Sequence, residues 1–180
     1  SVRGKVGYGN GYGQLEGNDQ ILPFFENFYG GGYSSLRGFR SNTVGPRALY
    51  LVKDSGSSYV TASNDSVGGN AIAVGSAEII FPTPFLDEAY IRQVRTTAFI
   101  DFGTVWDTEF DYDRFSQMQC ISYCDRLGDY SSPDRIRASV GVSIQWFSPM
   151  GPLVFSFAKP IKKYDGDRSE SFSFNIGQTF

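Results

Sequence analysis

Histidine is absent from this sequence of 180 residues. A Ser-His-Asp triad, a Cys-His pair and a histidine-ligated metal site therefore cannot be built from it. Charged residues make up only 19%, and the formal net charge of −3 argues against a nucleic-acid surface, which needs clustered Lys and Arg. A run of about 18 apolar residues is also lacking, which excludes a transmembrane helix. We expect no enzymatic activity, no cofactor, no metal and no nucleic-acid partner.

Cysteine is scarce, with only Cys120 and Cys124, and both lie in a polar stretch. Their C-x3-C spacing fits a local disulfide in an oxidising compartment, or two free thiols in a loop. A structural metal site would need two more ligands, and none are nearby. We expect the disulfide, as the staple of a loop on a secreted or surface-exposed protein.

Aromatic residues and glycine are abundant, with 16 Phe, 11 Tyr and 21 Gly, and they favour strands and turns. The segment 135–147 alternates strictly between apolar and polar residues, which predicts a strand with one apolar face. Its apolar positions are Ile136, Ala138, Val140, Val142, Ile144 and Trp146. Similar patterns predict six strands, approximately 1–13, 70–81, 92–106, 135–148, 151–160 and 169–179.

Connections between the predicted strands alternate in length. Short turns precede residues 92 and 151, whereas long polar loops occupy roughly 14–69, 107–134 and 161–168. Short turns at one rim and long loops at the other are typical of an outer-membrane β-barrel. A soluble β-sandwich explains the alternation equally well, but its strands are usually only about 5–6 residues long. Longer strands fit a tilted membrane crossing better.

Six strands cannot close a membrane barrel, because open edges would leave backbone groups unpaired in lipid. We therefore expect residues 1–180 to be the C-terminal portion of a larger transmembrane barrel domain. The loop 14–69 is too long for a passive connector. Its aromatics, three consecutive glycines and Leu36-Arg37-Gly38-Phe39 suggest a segment that folds back inside the barrel; an exposed surface loop is the alternative.

Several motifs resemble those of a known family, in its order and spacing and over essentially the whole chain. They are FYGGGYSSLRGFRSNTVGP, VGGNAIAV, FIDFGTVWD, SPMGPLVFSFAKPIKKYDGD and the terminal FSFNIGQTF. The family is that of the central subunit of the outer-membrane β-barrel assembly machinery (BAM) of Gram-negative bacteria. Its superfamily also includes the two-partner secretion transporters, and Leu36-Arg37-Gly38-Phe39 matches the superfamily's [VIL]-R-G-F signature.

The resemblance implies an all-β, antiparallel barrel of sixteen strands, of which this chain supplies the last six. The loop 14–69 would be the sixth extracellular loop, tucked into the lumen. Arg37 would be held there by the inward-facing acids Glu78 and Asp101, with Gly38 allowing close backbone approach and Phe39 anchoring the tip. Alternatively, the two acids merely line a wet lumen.

The last strand would close the barrel at a seam, which the resemblance identifies as a lateral gate. Gly177 weakens this strand, and an unpaired edge is a template for another strand. The residues that match a C-terminal outer-membrane signal are Phe172, Phe174, Ile176, Gly177 and Phe180. The alternative is an ordinary closing strand with lipid-facing aromatics.

The implied function is folding and insertion of outer-membrane proteins in the bacterial outer membrane. The implied partners are unfolded β-barrel precursors, the lipid bilayer, and BAM lipoproteins bound through N-terminal periplasmic domains. The alternatives are a translocation pore of the two-partner secretion type, a barrel hydrolase or protease, and a simple diffusion porin.

Overall fold

The structure is a computed structural model that describes residues 1–12, 14–15, 18–19, 22–54, 57–83, 93–124, 127–149 and 151–177. Its strands are β1 (Val2–Tyr8), β2 (Gln14–Leu15), β3 (Asn18–Asp19), β4 (Arg47–Asp54), β5 (Ser57–Ser66), β6 (Ala71–Pro82), β7 (Val94–Trp106), β8 (Gln119–Ser122), β9 (Arg137–Ser148), β10 (Gly151–Lys162) and β11 (Phe172–Ile176). A 3₁₀ turn (Phe24–Glu26) and helix α1 (Tyr112–Ser116) complete the elements. Among the described residues, no helix has both the length and the apolar composition that a membrane crossing requires.

One six-stranded antiparallel sheet forms the frame, in the order β1-β6-β7-β9-β10-β11. Strands that follow each other along the chain are neighbours, apart from the inserted segments that carry β2–β5 and β8. The register places Ser76 opposite Asp101, and Asp101 opposite Ser139. Since side chains of paired residues point to the same face, these three polar residues form one row across β6, β7 and β9.

The faces of this sheet are reversed with respect to a water-soluble domain. On β9, Val140, Val142 and Ile144 are 38–45% exposed, whereas Ser139 and Ser143 are buried. The Ser143 hydroxyl shares a hydrogen bond of 2.7 Å with the Ser156 hydroxyl of β10 on the buried face. A soluble sandwich would bury the valine and isoleucine row, so the sheet is built as a barrel wall with an apolar exterior and a polar interior.

The sequence predicts a long loop over 14–69, but the structure has strands within this segment. It contains the hairpin β4–β5, in which Leu51 pairs with Val60 and Leu49 with Ala62. Val60 and Ala62 are buried, so these two strands, which form a sheet separate from the frame, have a small apolar core of their own. The apolar run Leu-Tyr-Leu-Val, followed after a Ser-Gly pair by Tyr-Val-Thr, is the sequence signal that could have revealed this hairpin.

The segment 107–134 is also structured: β8 pairs in parallel with β5, with Cys120 opposite Val60. A disulfide joins Cys120, within this pairing, to Cys124, two residues after β8 ends. The bond closes a short loop at the end of β8.

Both ends of the frame are shorter than predicted. β1 ends at Tyr8, after which Gly9 donates a last backbone bond to Asn70. β11 begins at Phe172 rather than residue 169, because Ser169 instead forms a bridge with Phe39 of the inserted segment. It ends before Gly177, whose φ of 114° turns the chain out of the ladder. Phe180 lies outside the described residues.

We predict that Gly141→Ala destabilises the barrel. Gly141 pairs with Phe99, and a Cβ added there would collide with the Phe99 ring and the Phe157 carbonyl oxygen. Overpacking of this kind costs about 1–3 kcal/mol. The urea midpoint of the full-length protein should fall accordingly. Gly4→Ala is the matched control, since its Cβ would meet nothing nearer than the Val74 carbonyl oxygen at 4.0 Å; an equal loss in both variants would contradict the prediction.

Candidate functional site

The candidate site begins with a compact turn in the inserted segment. Gly32 bridges to Leu36, and Gly30 bridges to Val44, so residues 30–44 fold back on themselves. Three side chains of this turn are buried together: Leu36, Phe39 and Val44. Their burial gives the segment a core of its own and leaves the intervening Arg37 directed toward the sheet.

The Arg37 guanidinium binds the sheet through two carboxylates. Its Nε and Nη2 donate to Oδ2 and Oδ1 of Asp101 at 2.8 and 2.7 Å, a bidentate pair. Nη2 also lies 2.7 Å from Oε1 of Glu78. The side chains of Arg37 and Asp101 are almost fully buried, and that of Glu78 is mostly buried. Bidentate, charge-assisted pairs in such surroundings are the strong class of hydrogen bond.

Further hydrogen bonds join Arg37 to polar groups of the sheet. Its Nη2 donates to the Ser76 hydroxyl at 2.9 Å, and its backbone N–H donates to Asp101 at 3.1 Å. The Ser139 hydroxyl donates to the Arg37 carbonyl oxygen. Every one of these partners stands in a row defined by strand register, so the sheet presents a preformed cradle to the arginine.

An aromatic ring forms the floor of this cradle. The Arg37 Cζ lies 3.5 Å from the centroid of the buried Phe99 ring, a cation–π contact in a site largely removed from water. Gly38 follows with a φ of 88°, and a Cβ there would lie 3.2 Å from those of Ser139 and Ala158. Glycine therefore lets the loop backbone approach the wall closely.

Charge is balanced by a residue that sequence reasoning missed. Arg3 of β1 donates to Oε1 of Glu78 at 2.9 Å, so Glu78 is shared by two guanidiniums. Arg3 pairs in register with Ser76, and its place on the polar face of a strand was the available signal. Ser76, Phe99 and Ser139 were also missed. We call Arg37 with Ser76, Glu78, Phe99 and Asp101 the Arg37 anchor.

Electrostatics favour the charged form of Arg37. Burial by itself lowers the pKa of the guanidinium, but its hydrogen bonds to Asp101 and the negative charges of Asp101 and Glu78 outweigh that effect. The pKa of Arg37 is therefore raised above its ordinary value, so the guanidinium stays charged.

Three of the predicted gate residues lie apart from the Arg37 anchor, on the outer face of the last strand. Phe172 and Phe174 are about half exposed, and Ile176 is more exposed. Phe172 and Phe174 pair across the ladder with Phe157 and Phe155, at ring-centroid distances of 5.2 and 5.0 Å. These side chains form an apolar strip on the lipid side of the wall.

The inserted segment also contacts the approach to the last strand. Arg40 donates its backbone N–H to the Arg168 carbonyl oxygen at 2.9 Å, and Glu170 donates to the Gly38 carbonyl oxygen at 3.0 Å. Phe39 and Ser169 thereby form an antiparallel bridge three residues before β11 begins. Neither composition nor periodicity predicted this contact.

We predict that Arg37→Lys weakens loop docking although it keeps the charge. An ammonium cannot make the bidentate pair with Asp101, reach Glu78 and Ser76, and stack on Phe99 at once. The free energy of local opening, measured by hydrogen exchange of the residue-37 amide, should fall by roughly 2 kcal/mol, the value of one bond to a charged group. Arg114→Lys, on exposed α1, is the control and should leave this exchange unchanged. Unaltered exchange in Arg37→Lys would contradict the assigned role of the fork.

The chain is similar to proteins of one known superfamily. The Omp85 superfamily domain matches residues 1–180. The chain is 38% identical to the outer membrane protein assembly factor BamA of Neisseria meningitidis serogroup B, over 98% of this chain and 21% of that protein. It is 30% identical to BamA of Nitratidesulfovibrio vulgaris, over 92% of this chain and 17% of that protein.

A solved structure agrees with these relatives. The crystal structure of BamA from Haemophilus ducreyi lacking POTRA domains 1–3 matches with a TM-score of 0.80 and 40% identity, over 99% of this chain and 31% of that chain. The chain thus spans about a fifth of the curated relatives' length. It forms part of an outer-membrane β-barrel protein. The chain belongs to the Omp85 superfamily.

Proposed function

We propose that this chain is the C-terminal wall and gate of an outer-membrane protein assembly factor. It folds and inserts β-barrel precursors by strand exchange at its last strand, without nucleotide, cofactor or enzymatic chemistry. Its membership of the Omp85 superfamily and its likeness to two assembly factors support this role. The partners proposed are unfolded outer-membrane proteins, the surrounding lipid, and BAM lipoproteins that bind elsewhere on the full-length protein.

The observation that carries the proposal is the short ladder of the last strand. β10 runs over twelve residues, and within the part of the chain that the structure describes β11 pairs with it over five, from Leu153↔Ile176 to Phe157↔Phe172. β7 by contrast pairs with β6 along its whole central length. A strand with few ladder bonds opens at a lower free energy than one with many. A weakly held β11 can shift at the seam, where its other edge would face the first strand of the full-length barrel, and that edge can then pair with an incoming strand by β-augmentation.

The docked loop supports the same role rather than that of a diffusion porin. The Arg37 anchor attaches the inserted segment to β6 and β7 through buried, charge-balanced bonds. A segment held in this way against the polar face occupies part of the lumen. The docked loop thereby adds contacts to the wall that do not depend on the ladder of the last strand.

The two-partner secretion alternative shares the R-G-F loop but is not favoured. Both named relatives are assembly factors rather than secretion transporters. Secreted clients, instead of inserted ones, would be the outcome that favours it.

We predict that Arg37→Ala impairs client assembly in cells while leaving the full-length protein in the membrane. The variant leaves Asp101 buried without its counter-charge, and breaking a buried pair costs about 3–5 kcal/mol locally. Trimeric porin levels should fall, as measured by semi-native gel electrophoresis. Arg114→Ala is the control. Normal porin levels with a full complement of the Arg37→Ala protein would count against the role of the loop.

We also predict that closing the seam covalently stops assembly. A cysteine at Ser173, on the inner face of β11, is combined with single cysteines along the first strand of the full-length barrel. The crosslinked form should fail to assemble clients, and reductant should restore activity because the strand can exchange again. Full activity in the crosslinked form rules out strand exchange at β11.

A further inference from the structure

A second buried charge cluster lies in the loop between β10 and β11. The Asp167 carboxylate is fully buried and accepts four hydrogen bonds. Arg137, at the start of β9, donates from Nε and Nη2 at 2.9 and 3.1 Å. Arg47, at the start of β4, donates from Nη2 at 3.3 Å, and the Tyr164 backbone N–H donates at 2.9 Å. We call Arg47, Arg137, Tyr164 and Asp167 the Asp167 cluster.

This cluster joins three separate parts of the chain. Arg47 also donates to the carbonyl oxygens of Thr43, Asn64 and Gly166, at 2.7, 2.9 and 2.7 Å. It therefore binds its own segment and the loop before β11 at the same time. Arg137 ties that loop to β9, and its Cζ lies 5.0 Å from the Tyr164 ring centroid. Both guanidiniums are nearly inaccessible to water.

The cluster depends on Asp167 for its charge. Two buried cations face one carboxylate, and removing that carboxylate would leave both guanidiniums without a counter-ion among the described residues. Burial lowers the pKa of Arg47, and the charge of Asp167 offsets part of this effect. The sequence KKYDGDR reads as a solvated polar loop, so nothing in it separates Asp167 from the exposed Asp165.

The Asp167 cluster lies next to the backbone pairing between the inserted segment and residues 168–170. Asp167 directly precedes Arg168, Ser169 and Glu170, the stretch whose backbone pairs with Gly38–Arg40. The Arg37 anchor lies at the other side of that pairing, one residue before Gly38. The short antiparallel bridge is thus held at both ends: Arg37 is next to the Gly38–Glu170 end, and Asp167 is next to the Arg40–Arg168 end.

We propose that Asp167 is a positioning residue that couples the docked loop to the start of the last strand. With Asp167 in place, residues 168–170 are held against the loop and define where β11 begins. Without it, the loop undocks and the start of β11 loses its backbone partner. The inference rests on the proposed function only for its consequence in client assembly; the coupling itself is a property of this fold.

The test compares Asp167→Asn with Asp165→Asn in the full-length protein, since both change one carboxylate in the same loop. Hydrogen exchange is measured at the amides of Arg40 and Glu170, which donate the two bonds of the bridge. We expect exchange at least about tenfold faster in Asp167→Asn, because a broken buried pair destabilises its neighbourhood, and no change in Asp165→Asn.

A second measurement separates coupling from a merely structural role. Asp167→Asn is combined with Arg37→Lys, and local opening at Glu170 is measured in the single and double variants. Coupling through one bridge makes the two effects non-additive, whereas independent sites add. Additive effects, or unchanged exchange in a folded Asp167→Asn protein, would overturn the proposal. If Asp167→Asn does not fold, Arg47→Lys decides the matter in the same exchange measurement.

Client assembly distinguishes this inference from the proposed function. If exchange at Arg40 and Glu170 rises and porin assembly falls, both stand. If exchange rises but assembly stays normal in both Asp167→Asn and Arg37→Ala, the coupling holds and the assembly role of the docked loop fails. If exchange does not change, the coupling fails whatever the assembly result.

Discussion

A guanidinium that is only 3% exposed needs its charge and its donors satisfied where it lies, and the remainder of this structure depends on that requirement. Arg37 meets this requirement through Asp101, Glu78 and Ser76, which the pairing of β6 with β7 places together beneath one loop. A buried ion pair is favourable only with good geometry and further hydrogen bonds, and here the geometry is bidentate and Nη2 also donates to Ser76. A shift of one residue in the β6–β7 register would turn Asp101 or Ser76 outward and destroy the site.

The reversed faces of the sheet make this docking possible. An interior of Ser139, Ser143, Ala158 and Gly141 is small and polar, so a loop backbone can lie directly on it. The exterior keeps the branched and aromatic side chains that lipid solvates. Phe99 is a large ring on the inner face opposite Gly141, and it fills the space the glycine leaves beneath the arginine.

Period-two alternation predicted the six frame strands because one face meets lipid and the other meets polar groups. The same rule did not predict β4, β5 and β8, because the long segments that contain them were taken to be loops. The apolar residues of these strands form a small core of their own. Arg37, Glu78 and Asp101 came from the resemblance, and polarity of the strand face agreed for both acids. Phe99 and Asp167 could not be predicted, because an aromatic on a polar face and a carboxylate in a charged loop show their roles only through partners distant in sequence.

The last strand is held unequally at its two ends. At its start, the bridge between Phe39 and Ser169 and the buried Asp167 join it to the loop and to β9. At its far end, the described ladder with β10 runs to Ile176, and Gly177 has a φ of 114° and donates to the Pro152 carbonyl oxygen. Opening free energy is lowest where bonds are few and exposed. Because both anchored features precede Phe172, we expect the proposed exchange at the seam to begin at the Gly177 end of β11.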